Sequence, residues 1–135
     1  MKITLQLLDG LRFQAEARHH HLIVDQPAED GATDEGMTPA ELLLVSLGSC
    51  VGQFVAQYLR LRSLPSDGLL IQVEADRGGP LRLSNFRLHI VAPGLTERQL
   101  RALEKSIPSG LVQNAITQPN QLSVSVTTSQ ADITP

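Results

Sequence analysis

This chain of 135 residues holds very little aromatic material: Phe13, Phe54, Phe86 and Tyr58, with no tryptophan. That scarcity argues against a base-stacking platform for single-stranded nucleic acid. Charge is sparse as well, at 19% of residues, and the balance is −3 with an isoelectric point near 5.7. Holding nucleic acid or an anionic membrane surface by electrostatics requires a basic face, so neither partner is expected. Cysteine occurs once, at Cys50. A single thiol makes no internal disulfide framework and suits a reducing compartment, so the cytoplasm is the expected location. The opening MKITLQLLDG carries too short an apolar stretch for a signal peptide, and no apolar run of the roughly 18 residues a membrane span requires is expected. Internal repeats and low-complexity segments are missing too.

Hydrophobic residues make up 41% of the chain. That is enough for one folded domain over residues 1–135, whose core needs no disulfide or metal staple. The first 25 residues read as strands. Ile3, Leu5 and Leu7 alternate with polar neighbours, as do Phe13, Ala15 and Ala17. Between the two runs, Asp9-Gly10 predicts a two-residue hairpin turn with both residues at positive φ. A second turn around Arg18–His20 leads to a short strand, His21–Asp25. Residues 26–37, with Pro27, two glycines and four acids, predict a solvated loop.

At Thr38-Pro39-Ala40-Glu41 the period changes. A threonine cap, a proline at the first helical position and a glutamate at the third form a capping box. The helix it opens runs to about Arg62, roughly 36 Å at about 1.5 Å per residue. Its apolar residues cover an arc of about 220°, against roughly 100° for a helix lying on one surface. Ser46, Ser49, Gln53, Gln57 and Arg60 form the narrow polar strip. Such a helix must be covered on two sides, and a charge at Leu44 or Val55 is expected to impair dimerisation or folding. Two more strands follow, Leu69–Asp76 and Phe86–Ile90. A second capping box at Thr96 and Gln99 opens another helix, with Leu95 and Leu100 as its hydrophobic staple. Pro108 interrupts that helix, Gly110–Thr117 resumes it, and the alternation of Leu122, Val124 and Val126 predicts a last strand. The order β-β-β-α-β-β-α-β is an α+β arrangement of mostly antiparallel strands.

The segment TPAELLLVSLGSC, residues 38–50, resembles the OsmC/Ohr family. So do the spacing of His20 and Asp25, the element order and the chain length. The resemblance implies an intertwined homodimer with two long central helices back to back, wrapped by sheets. It also implies a thiol-dependent reduction of organic hydroperoxides. Residue by residue, Cys50 corresponds to the family's reactive cysteine. The resolving cysteine, which precedes a proline, is replaced: here Ser106 stands before Ile107-Pro108. Ala40 occupies the place of the family's catalytic glutamate, so Glu41 is the nearest candidate, one position later. For the assisting arginine the candidates are Arg12 and Arg18, and Arg18 is the one taken. The chain resembles a divergent, single-cysteine branch.

Each candidate also has a plainer explanation. Cys50 behaves equally well as a small buried hydrophobe. Glu41 is accounted for by capping and the helix dipole. His19, His20 and His21 fall short of the three or four well-placed ligands that zinc requires, so no metal or other cofactor is expected. Gly48 and Gly52 suit close packing rather than phosphate binding. The leading expectation is an OsmC-like redox protein that uses Cys50 on a peroxide or small hydrophobic substrate, with an external thiol as reductant. The alternative is a non-catalytic dimer module that binds a small apolar ligand.

Overall fold

The structure is a computed structural model, and residues 1–128 are described. The first three strands, β1 (Thr4–Asp9), β2 (Arg12–Ala17) and β3 (His20–Val24), form an antiparallel sheet in the order β1-β2-β3. Leu5 pairs with Ala15 and Leu7 with Phe13, while Phe13 pairs with Val24. Asp9 pairs with Arg12, so the turn residues are Gly10 and Leu11 rather than Asp9 and Gly10. Only Gly10 of these takes a positive φ, 47°. A register shift between Leu7 and Asp9 accounts for the displacement by one residue. The next turn falls as expected, with Arg18 at φ 60°.

Helix α1 spans Pro39–Leu61, capped at Thr38. The box is reciprocal: the Glu41 N–H donates to Thr38 Oγ1 at 3.2 Å, and the Thr38 N–H donates to Glu41 Oε2 at 2.7 Å. At the far end the Arg62 guanidinium sits 3.8 Å over the Tyr58 ring. Strands β4 (Leu70–Arg77) and β5 (Leu83–Val91) form a second antiparallel sheet whose β4 strand lies along α1. The glycines allow that approach. A Cβ on Gly48 would come within 2.7 Å of Val73 Cγ2, and one on Gly52 within 3.2 Å of Ile71 Cγ1.

Helix α2 (Glu97–Ser106) carries the second capping box, with the Thr96 N–H donating to Gln99 Oε1 at 2.8 Å. Pro108 separates it from α3 (Leu111–Thr117), which packs on α1. The core gathers Val51, Val55, Tyr58 and Leu59 of α1 with Leu103 of α2, and Leu88 and Ile90 of β5 pack against it. Val55 and Leu59 are wholly buried within the chain. Val55 is therefore a core residue of its own chain, not one left for a second copy to cover.

Two further expectations are corrected. Residues 121–127 form no strand: Leu122, Val124 and Val126 keep their alternation but are 91%, 81% and 95% exposed. A strand exists only as half of a ladder, and neither sheet of the chain pairs with this segment. Secondly, α1 contains an 18-residue window of mean hydropathy 1.6, long and apolar enough by composition to cross a bilayer. Ser46, Ser49 and Gln53 interrupt the run without lowering its mean below that level. Leu47, Val51, Val55 and Leu59 are buried within the chain, whereas Leu43, Val45 and Leu61 of the same helix stay exposed.

Candidate functional site

Cys50 lies midway along α1, half-buried. Helix geometry turns its side chain toward α3, where the nearest feature is Gly110, the N-cap of that helix. A Cβ at Gly110 would stand 2.9 Å from Cys50 Sγ. The break at Pro108 is what brings this point down onto α1, since an uninterrupted α2 would carry residues 107–110 onward along its own axis.

Beside the cysteine lies a cavity of about 630 Å³. Leu47 and Val51 of α1, Leu88 and Ile90 of β5, and Leu103 and Ile107 at α2 supply its apolar wall. Arg101, Glu104 and Gln113 contribute polar groups to the lining. The volume falls in the range of small-molecule pockets, apolar with a few polar groups. Cys50 itself is not among the lining residues, although its neighbours Leu47 and Val51 are.

Glu41 is not brought to Cys50 within the chain. Nine positions on an α-helix amount to about 13 Å along the axis and half a turn around it. Its carboxylate instead closes the cap, and it is held below the ordinary carboxylate range chiefly by the Thr38 N–H, then by the Thr38 hydroxyl. Arg18 projects from the exposed turn between β2 and β3, on a sheet that makes no extensive contact with α1. Arg12 is the more enclosed of the two arginines. Its guanidinium bonds Asp9 Oδ2 at 2.5 Å and also Glu35, and its Nε is buried without a hydrogen-bond partner among the described residues. Among the described residues the first sheet, which carries both arginines, makes no extensive contact with α1. His19 lies in the same exposed turn as Arg18, and His20 and His21 open β3, exposed as well. The rings of His19 and His20 stack at 4.3 Å, and no cluster of metal-ligating side chains forms among the described residues.

Asp25 has a structural role that no local sequence pattern announces. It is 1% exposed and organises the whole 26–37 loop. Its carboxylate accepts the Thr33 hydroxyl at 2.6 Å, the Gln26 N–H at 2.8 Å, and the N–H groups of Thr33 and Glu35 at 3.2 Å. The Thr33 hydroxyl is the largest influence holding its carboxyl below the ordinary value, with burial acting in the opposite direction. The one cue is an aspartate closing a strand ahead of a Gly- and Thr-bearing loop, since such side chains bond backbone a few residues on.

Comparison with known proteins bears on this arrangement. Residues 32–125 match the family model of OsmC-like proteins. Among solved structures, the fold is similar to an osmotic stress induced and detoxification response protein from Psychrobacter arcticus 273-4, with a TM-score of 0.74 at 19% identity over 85% of this chain and 87% of that one. It is also similar to an OsmC-like protein from Mycoplasma pneumoniae, with a TM-score of 0.69 at 19% identity over 85% of each chain. An organic hydroperoxide resistance protein from Legionella pneumophila gives 0.57 at 17% identity, covering 87% of this chain and 90% of that one. No curated protein matches the sequence.

Proposed function

The chain belongs to the OsmC-like protein family, and from that premise we propose that it is a thiol redox protein that reduces organic hydroperoxides through Cys50. The observation that carries the proposal is the placement of Cys50. Its sulfur stands at the junction of α1 and α3, next to an apolar cavity large enough for an organic substrate. In the proposed step the Cys50 thiolate attacks the outer oxygen of the hydroperoxide and the O–O bond breaks. The remaining alkoxide takes a proton and leaves as an alcohol, while the sulfur becomes a sulfenic acid. Cys50 is the only thiol in the chain. The sulfenic acid is therefore reduced from outside. One thiol attacks it, releasing water and leaving a mixed disulfide, and a second thiol displaces Cys50.

In this proposal the working unit is an intertwined homodimer of single-domain chains in the cytoplasm. The uncovered first sheet and the exposed Leu122, Val124 and Val126 support the dimer. Glu41 and Arg18 remain the proposed assisting groups. Since neither is brought to the cysteine of its own chain, a second copy would have to deliver them.

Intact-mass measurement after one equivalent of an alkyl hydroperoxide is the test. Addition of a single oxygen to the wild-type chain, reversed by a dithiol and missing in Cys50→Ser, is the expected result. Excess oxidant then drives Cys50 to sulfinic and sulfonic states, because no second thiol intercepts the first product. One observation favours a second reading: the cavity lining does not include the cysteine. A wild-type chain that keeps its fold and stays unmodified in excess hydroperoxide would leave the apolar cavity as a ligand site without redox chemistry.

A further inference from the structure

We infer that the tip of the β4–β5 hairpin docks on a second copy of the chain, gripping that copy's acidic 26–37 loop through Arg77 and Arg82; this rests on the proposed homodimer and names one contact within it. The fold makes no use of the tip's side chains. The strands pair as far as Arg77 with Leu83, and the Gly78 N–H donates to the Arg82 carbonyl at 2.9 Å to close the turn. Only backbone atoms take part. Arg77, Leu81 and Arg82 are all exposed, Leu81 by 98%. Arg87 takes both acids of the hairpin, Glu74 at 3.6 Å and Asp76 at 2.7 Å. That leaves Arg77 and Arg82 without an ion pair among the described residues. Arginine around an apolar side chain is a composition that protein interfaces favour.

The occupant follows from charge. Residues 77–83 hold two arginines and no acid, while residues 26–37 hold Glu29, Asp30, Asp34 and Glu35 and no base. Of these acids only Glu35 has an ion pair, with Arg12. Glu29, Asp30 and Asp34 are exposed and meet no cation of their own chain among the described residues. Both surfaces are shaped before they meet. Hydrogen bonds to the Asp25 carboxylate and from the Asp30 N–H to the Pro27 carbonyl hold the loop, and strand pairing holds the tip. Little ordering is then lost on contact. Among the described residues no ion pair joins tip to loop within one chain. A two-fold axis brings tip to loop twice, once from each copy, and the opposed charges set the register of docking. An anionic membrane is the poorer match, because a chain of net charge −3 is repelled by it as a whole.

The test uses the full chain with Ala28→Cys in the loop, Leu81→Cys at the tip and Cys50→Ala, so that no other thiol is present. Mild oxidation should give a disulfide-linked dimer on a non-reducing gel, whereas each single-cysteine chain stays at monomer mass. Adding Arg77→Glu with Arg82→Glu, or Glu29→Lys with Asp30→Lys, should slow cross-linking on the order of tenfold or more, because attraction becomes repulsion. All of these reversals in one chain should bring the rate back to within about threefold, since a reversed tip again meets a reversed loop. High salt should narrow the differences. Circular dichroism checks the fold of each variant. Should the loop variant fail to fold, the tip variant decides alone, since no hydrogen bond or ion pair of the described residues uses its side chains. A disulfide closed within one chain, cross-links from single-cysteine chains, or rates indifferent to the reversals overturn the inference, as does a combined variant that stays slow. A wild-type chain that sediments as a monomer overturns it together with the homodimer. If that monomer binds vesicles of anionic phospholipid and the tip variant does not, the surface belongs to a membrane instead. Oxidation of wild-type Cys50 by an alkyl hydroperoxide is read separately. Cross-linking without that oxidation sinks the redox proposal and leaves the contact standing, and oxidation in a dimer that fails to cross-link removes the contact alone.

Discussion

Replacing Gly48 and Gly52 by alanine, one at a time, should move stability in different directions. Both lie inside α1, where alanine is favoured over glycine by about 1 kcal/mol through the lower entropy of the unfolded chain. Against that gain stands the space available. At Gly48 the new methyl would be 2.7 Å from Val73 Cγ2, a separation that cannot persist. Val73 is β-branched and stiff at χ1, so relief requires β4 to move as a whole or Val73 to leave its rotamer. Overpacking of this kind costs roughly 1–3 kcal/mol, which offsets the propensity gain and leaves Gly48→Ala less stable by up to about 2 kcal/mol. At Gly52 the nearest atom is Ile71 Cγ1 at 3.2 Å, so a shift of a few tenths of an ångström suffices. Gly52→Ala should therefore be neutral or more stable by up to about 1 kcal/mol. Urea unfolding at one fixed protein concentration reads both values, and concentration matters because assembly adds to apparent stability. Val73→Ala should remove most of the penalty at Gly48, with a coupling of about 1–2 kcal/mol in the double-mutant cycle. Equal stabilisation by the two alanines, or no coupling to Val73, would refute the close packing of α1 on β4.

Thr38→Ala should cost about 1 kcal/mol through loss of the α1 cap, and Glu41→Ala should cost less, both read by thermal unfolding. Asp76 is held down to about 2 by hydrogen bonds from Arg87 and Asn85. With its carboxyl lowered on folding, its contribution is present above the ordinary value of 3.8 and lost as pH falls from there toward about 2. Asp76→Asn should flatten that stretch of the acid-unfolding curve and change little near neutrality, with a small effect at high salt because the pair is half-exposed. Val55→Asp should unfold the chain, since Val55 is fully buried within it, whereas Leu5→Asp should leave α1 folded and impair assembly; circular dichroism with sedimentation separates the two outcomes.

What could be read from the sequence follows the range of the interactions involved. Both capping boxes were legible because each is complete within four residues, and the structure shows all their bonds. The break at Pro108 was legible because proline lacks the donor that a helix interior requires. The α+β class followed from the changes of period. Features set by distant partners were not legible. The first turn slid by one residue because a register shift at Leu7 is a property of the pair of strands. Asp25 gained its role from Thr33 and Glu35, eight and ten residues away. In the candidate site, Cys50 was found through family resemblance, but nothing local could say that the residue facing it is Gly110. Nor could anything local say that Arg12 would pair with Glu35, 23 residues on.

The division of the fold bears on the proposed dimer. The core built by α1, β4, β5, α2 and α3 is closed enough to bury Val55 and Leu59 completely. The first sheet shares little of it. The parallel bridge from Val24 to Met37, the Asp25-centred loop and the Arg12–Glu35 ion pair hold β1–β3 at one end, while Leu5 and Leu7 stay more than half exposed. A three-stranded sheet with an apolar face left in water is a poor end state, because sheets owe their stability to what covers them. The exposed alternation of Leu122, Val124 and Val126 has the complementary defect, apolar side chains on a backbone without a ladder. Cys50 and Gly110, by contrast, meet within one chain. Loss of the proposed dimer would therefore take away coverage and any assisting group from a second chain, yet leave the packing of Gly110 on the Cys50 sulfur in place.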